Sequence, residues 1–139
     1  MEVITTLNLH TGLEDLRTIR KFLETELTAR HINPDTVYDV VFSVNEITTN
    51  VLVHGYPNEE GWLEVEIARK NHDLHITIRD RAPAFDPTNL PTPDISLPLE
   101  QRSLGGLGVY LVKELMDQVS YQLLEAGGNE LTLVKKSVF

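Results

Sequence analysis

The sequence predicts an α+β domain, with helices packed on one face of a mostly antiparallel sheet. Three observations carry this expectation. Segments of two-residue apolar alternation come in consecutive pairs, segments of helical spacing are grouped between them, and a length of 139 residues allows one ordinary domain and no second. The chain is therefore read as a single module over 1–139, without internal repeats or low-complexity tracts.

Taken in order, Val3, Thr5, Leu7 and Leu9 alternate with mostly polar neighbours, as a short strand does. Thr11-Gly12-Leu13-Glu14 has the spacing of a capping box, and Leu16, Ile19, Leu23 and Leu27 continue at helical spacing to about Arg30. Asn33-Pro34 opens a second helix, because asparagine caps well and proline at the first helical position gives up only an amide that would lack a partner. Its stripe of Val37, Val40, Val41, Val44, Ile47 and Val51 runs to about His54, where Gly55-Tyr56-Pro57 stops it. Leu63-Val65-Ile67 and Leu74-Ile76-Ile78 then alternate as two strands of a hairpin turning near Asn71-His72-Asp73. From Arg81 to Leu104 no period survives and five of the seven prolines occur, which marks a long loop of the kind that forms lids and binding loops. Gly105-Gly106-Leu107-Gly108 leads into a helix to Met116, read from the spacing of Leu107, Leu111 and Leu115. Strands from Val119 to Glu125 and from Leu131 to Lys135 flank the turn signal Gly127-Gly128-Asn129.

Composition narrows the function. With 41% apolar and 24% charged residues the chain can bury a core, and the absence of cysteine excludes disulfides, thiolate catalysis and cysteine-based zinc sites. Twelve Lys and Arg against 21 Asp and Glu leave a net charge of −9, which repels nucleic acid and anionic membranes. No apolar run approaches the roughly 20 residues of a membrane span, and the start MEVITTLNLH does not read as a leader, so a cytoplasmic protein is expected. Nucleotides held by local groups, or other proteins, are the partners left.

Three constellations could carry chemistry. Glu46 and Asn50 stand four apart on the second helix and project from one face, away from the valine stripe. An amide oxygen suits Mg²⁺ beside phosphate oxygens, and a neighbouring carboxylate can take a proton from a hydroxyl; the same spacing also occurs on any solvated helix face. Asp80 shares parity with Leu74, Ile76 and Ile78, so in a continuing strand it points inward and needs a donor, such as an adenine amino group. If the strand stops earlier, Asp80 simply caps the following turn. The glycines at 105, 106 and 108 permit close approach of an anion to a helix start, or else form a hinge, and they match neither a Walker loop nor a dinucleotide fingerprint. The histidines lack metal-pair spacing; His54 reads as a helix-end residue and Trp62 as packing.

In this order the three elements resemble the Bergerat-fold ATP-binding superfamily that includes histidine kinases, gyrase and mismatch-repair ATPases. Within it, Glu46 to Asn50 followed by His54-Gly55-Tyr56 resembles the first box of the small anti-sigma-factor serine/threonine kinases, E-x-x-x-N and then H-[GA]-Y. Asp80-Arg81-Ala82-Pro83-Ala84-Phe85-Asp86-Pro87 is similar to their D-x-G-x-x-F-D-P, and Gly105 to Val112 to their glycine box. The resemblance covers nearly the whole chain and implies a two-layer α/β sandwich. It implies that Glu46 activates the substrate hydroxyl, Asn50 binds Mg²⁺, Asp80 reads the adenine of ATP, and Gly105, Gly106 and Gly108 close a lid, 81–104, over the phosphates. Thr132 resembles a threonine that supports the adenine pocket. Ala82 belongs to the same nucleotide-binding set but departs from it, standing where the box usually has glycine. If a positive φ is needed there, alanine brings about 1–2 kcal/mol of strain and a methyl that crowds the base.

What the resemblance implies in function is an ATP- and Mg²⁺-dependent serine/threonine kinase acting as an anti-sigma factor. Its partners would be a STAS-domain anti-anti-sigma protein, which it phosphorylates, and a sigma factor, which it sequesters, with homodimerisation and no direct contact with nucleic acid or membrane. The alternative is a regulatory module that binds nucleotide and sequesters its partner without phosphorylating it. An ATPase driving conformational change is a third reading.

Overall fold

A computed structural model describes residues 1–11, 15–56, 61–89 and 106–139. Five strands form one sheet: β1 (Glu2–Thr11), β2 (Gly61–Lys70), β3 (Asp73–Asp80), β4 (Gln118–Leu123) and β5 (Asn129–Lys135). Three helices accompany it: α1 (Asp15–Ala29), α2 (Pro34–Asn50) and α3 (Gly106–Leu115). The strand order is β1-β2-β3-β5-β4 and all four pairings are antiparallel. The expected α+β class holds, as a sheet carrying its helices on one face.

Alternation decides which face. Leu63, Val65 and Ile67 on β2, Leu74, Ile76 and Ile78 on β3, and Leu131 and Leu133 on β5 are all buried in one cluster with the helices. The helices contribute Ile19, Leu23 and Leu27 from α1, Val40, Val44 and Ile47 from α2, and Val112 from α3, with Met116 just after it. Each such aliphatic side chain contributes roughly 1.5–3 kcal/mol when fully buried. Residues of the opposite parity carry charge: Arg79 on β3 binds Glu64 at 2.6 Å and Glu66 at 3.2 Å on β2, and Glu130 at 2.7 Å on β5.

The second helix begins as its sequence requires, with Pro34 in the first turn and the Asn33 Oδ1 accepting from the Asp35 amide at 2.8 Å. After Asn50 it widens into one π-helical turn, Val51–Gly55, and stops at Tyr56. The Tyr56 hydroxyl then bridges two strands, donating to the Trp62 carbonyl at 3.0 Å and accepting from the Arg81 amide at 2.6 Å. Thr11 ends β1, whereas the rest of the capping box, 12–14, and most of the lid, 90–104, lie outside the described residues. In α3 the buried side is Val109 and Val112, continued by Met116 just after the helix, whereas Leu111 is exposed. The leucine spacing therefore identifies the helix, but at Leu111 it marks an exposed position.

The last hairpin matters most for function. It returns with β5, and not β4, beside β3, so that Asp80 stands in register with Asn129 at the end of the sheet nearest the end of α2.

Candidate active site

A cavity of about 160 Å³ opens at that end of the sheet, between α2 with its π turn and the ends of β3 and β5. Asn50 and His54 line one wall, Ile78 and Asp80 another, and Tyr121, Asn129 and Leu131 close it from β4 and β5. Ala82 and Phe85, in the segment leaving β3, complete the lining.

Asp80 is 2% exposed. Its Oδ1 accepts from the Ala82 amide at 2.9 Å and from the Asn129 Nδ2 at 2.8 Å. The strand persists to Asp80 and turns its carboxylate inward, against the reading in which it stops earlier, and the same carboxylate also caps the turn that follows. Burial pushes the Asp80 carboxyl above the ordinary carboxylate range, opposed by the bonds from Asn129 and Ala82. A buried acceptor at one end of an apolar-walled cavity fits the amino edge of a purine.

Asn50 reaches the cavity, one helical turn beyond Glu46. Glu46 lies outside the lining and is half-buried against α3, where its Oε2 occupies the place a side chain on Gly108 would need. The structure therefore gathers Asp80, Ala82 and Asn50 at one cavity and sets Glu46 and Gly108 against each other one turn along α2. Gly106 opens α3, and Gly105 lies outside the described residues. Among the described residues no group of three or more His, Cys, Asp or Glu could hold a metal ion. A Mg²⁺ here would be held by the Asn50 amide oxygen together with phosphate oxygens of its ligand, an arrangement that suits this ion.

Two expectations are corrected. Thr132 stands in register with Thr77 on the sheet face opposite Asp80, their hydroxyls 3.3 Å apart, and it does not reach the cavity. Its parity is that of Glu130, so its side chain belongs with the charged face. Ala82 carries no left-handed backbone strain: among the described residues the non-glycine positions with positive φ are His31, Asn71 and Ser137. Its methyl is accommodated because residue 55 is glycine; a Cβ there would lie 2.7 Å from the Ala82 Cβ.

Three polar lining residues lie outside the set the sequence marks. The sequence places His54 at a helix end, yet the π turn brings it to the cavity wall. Tyr121 stands there only as part of a strand, and Asn129 only as part of a turn, yet Tyr121 bonds Asn129 and Asn129 is the main partner of Asp80 through its amide. The case of Asn129 is the more instructive. Its signal was parity, since it precedes Leu131 and Leu133 on the inward row as Asp80 follows Ile76 and Ile78.

Fold and cavity together define a histidine kinase-like ATPase domain. Residues 9–135 match that family, and the chain belongs to it. Among curated relatives, the serine-protein kinase RsbW of Bacillus cereus (strain AH820) is 30% identical over 105 residues, which are 73% of this chain and 64% of that protein. The RsbW of Bacillus thuringiensis (strain Al Hakam) shows the same identity and coverage, so the chain spans a little under two thirds of the relatives it matches. The crystal structure of the RsbU and RsbW domains of a Mycobacterium tuberculosis protein shares the fold, with a TM-score of 0.65 at 18% identity over 95% of this chain and 32% of that one. The resemblance to RsbW-like anti-sigma kinases thus holds at the level of family and fold. ATP use is what this family implies. Among the described residues no helix is long and apolar enough to cross a membrane.

Proposed function

We propose that this chain is an ATP- and Mg²⁺-dependent serine/threonine protein kinase and anti-sigma factor, phosphorylating a STAS-type anti-anti-sigma protein and sequestering a sigma factor in the cytoplasm. The observation that carries the reading is the order along the site: a buried acceptor at Asp80, an amide at Asn50 across the cavity, and a carboxylate at Glu46 one helical turn further. Phosphoryl transfer asks mostly for positioning and charge neutralisation, with a base on the acceptor hydroxyl. Bound ATP with its metal would supply the phosphoryl group and the neutralisation.

Each side chain then has a role. Asp80 accepts from the base, and the aliphatic neighbours Ile47, Ile78 and Leu131 surround it. Asn50 turns its amide oxygen to the metal. Glu46, half-buried on a rigid helix, takes the proton of the attacking hydroxyl. Gly105, Gly106 and Gly108 allow the lid over 81–104 to approach the phosphates, and a closed lid excludes water as a competing acceptor. The acidic surface suits a basic patch on the protein partner.

Incubation with Mg-ATP and the cognate STAS-domain protein tests this. Phosphoserine or phosphothreonine on that protein is expected, and Glu46→Gln is expected to reduce transfer by about 10²-fold or more while nucleotide binding persists. Complex formation without any phosphorylation would replace the kinase with a sequestering module. Phosphate release that needs no protein acceptor would replace it with an ATPase.

A further inference from the structure

We infer that Asn129, held in place by Tyr121, is a positioning residue that fixes the Asp80 carboxylate and thereby sets the preference for a purine presenting an amino group over one presenting a carbonyl. The inference rests on the nucleotide reading above and deepens it.

The orientation of the Asn129 amide follows from its neighbours. Its oxygen accepts from two donors, the Tyr121 hydroxyl at 2.5 Å and the Phe85 amide at 3.0 Å. Its nitrogen faces three acceptors, Asp80 Oδ1 at 2.8 Å and the carbonyls of Pro83 at 3.1 Å and Ala82 at 3.3 Å. Reversing the amide would set an oxygen against three oxygens and an N–H₂ group against the Phe85 N–H, which can only donate, so one orientation is selected. Asn129 itself is 7% exposed, which makes each unmade bond costly.

The consequence falls on Asp80. Two donors, the Asn129 amide and the Ala82 backbone N–H, converge on Oδ1. They hold the carboxylate plane, and a further hydrogen bond from the Asn129 backbone N–H steadies the same carboxylate; its remaining lone pairs are the acceptor offered by a residue that lines the cavity. An ionised, fixed oxygen attracts an amino group and repels a carbonyl. ATP and inosine triphosphate differ at that edge of the base in just this way, so their ratio of affinities reads the device directly. Tyr121 acts at one remove, by keeping the Asn129 oxygen turned away from Asp80.

The test compares ATP, inosine triphosphate and tripolyphosphate binding by calorimetry, with Mg²⁺, in the full chain and in two variants. Asn129→Asp removes the donor and sets a second carboxylate against Asp80; two carboxylates so close cannot both ionise, and the shared proton spoils the acceptor. The preference for ATP over inosine triphosphate is expected to fall about tenfold or more in Asn129→Asp and about threefold in Tyr121→Phe, with tripolyphosphate affinity unchanged. A purely structural role would weaken both nucleotides together and leave the ratio intact. A folded variant that keeps the original ratio overturns the inference, and should Asn129→Asp not fold, Tyr121→Phe decides alone. Binding of tripolyphosphate by the unaltered chain without preference between the two nucleotides would instead overturn the purine reading of Asp80, and the inference with it.

Discussion

The methyl group of Ala82 fills the space in front of Gly55: a Cβ built on Gly55 would lie 2.7 Å from the Ala82 Cβ. One small residue sits in the π turn after α2 and the other just past β3, and both line the cavity. Two methyls cannot occupy that gap without displacing a wall of the site. Gly55→Ala is therefore expected to destabilise the fold by about 1–3 kcal/mol, as overpacking does. Ala82→Gly in the same chain is expected to restore most of the loss. A double-mutant cycle by urea denaturation measures the coupling, and additive effects would show that the two positions do not share the space.

A second close approach separates stability from activity. A side chain on Gly108 would occupy the position of the Glu46 Oε2. That oxygen ends a flexible side chain, so Gly108→Ala displaces the carboxylate with little cost to the core. Alanine in place of glycine in a helix gains up to about 1 kcal/mol, so the melting temperature is expected to hold or rise. If Glu46 is the base, phosphoryl transfer is expected to fall by at least about tenfold more than nucleotide affinity does, since misplacing a reacting group by an ångström costs that much or more. Transfer at the original rate would remove Glu46 from that role.

The legible and illegible parts of this protein differ for identifiable reasons. Asp80 could be read because a polar residue at the end of an aliphatic row keeps the parity of that row. Asn129 obeys the same rule on β5 but follows two glycines, and the turn signal of Gly127 and Gly128 hid the start of the strand. Gly128 is required there on two counts, a φ of 108° and a backbone approach to the Asp80 carbonyl that leaves no room for a Cβ. Only family likeness puts Thr132 in the pocket, and the parity of Leu131 and Leu133 turns it to the other face. Sheet order was not legible at all. Nothing local in the last hairpin says that β5 will lie beside β3, and that choice creates the pairing of Asp80 with Asn129.

The face opposite the helices makes its own prediction. Arg79 is enclosed by Glu64, Glu66 and Glu130, all between 13% and 23% exposed. Burial lowers the pKa of its guanidinium, but the hydrogen bonds it donates to Glu130, Glu64 and Glu66 more than offset this and raise it. Arg79→Ala would leave three half-buried carboxylates facing one another across three strands. A loss of about 1–3 kcal/mol is expected, between the values typical of exposed and buried pairs. Arg20, 3.9 Å from Glu24 on the open face of α1, serves as the control, and Arg20→Ala is expected to cost no more than about 0.5 kcal/mol. Equal midpoints for the two variants in urea would mean that the cluster contributes nothing beyond a surface pair.

Asp80 trades stability for its acceptor. Its burial raises the carboxyl above the ordinary value near 3.8, with the bonds from Asn129 and Ala82 pulling the other way. As pH falls, the folded chain takes up this proton before the unfolded chain does. Stability contributed by the group therefore increases as pH drops from the raised folded value toward 3.8, and decreases as pH climbs back through the same window. Above that window the cost of an ionised buried carboxylate is fully in place. Asp80→Asn keeps the shape and an oxygen for the two donors but carries no charge. It is expected to melt higher than the unaltered chain at neutral pH, with the difference closing as the pH approaches that of an exposed carboxylate. The same change is expected to weaken ATP more than tripolyphosphate, because an amide is a poorer acceptor for the base. Melting curves across the acid range decide the first point. A lower melting temperature for Asp80→Asn at neutral pH would mean that its hydrogen bonds outweigh the desolvation, and that the carboxylate is there for stability and not for a ligand.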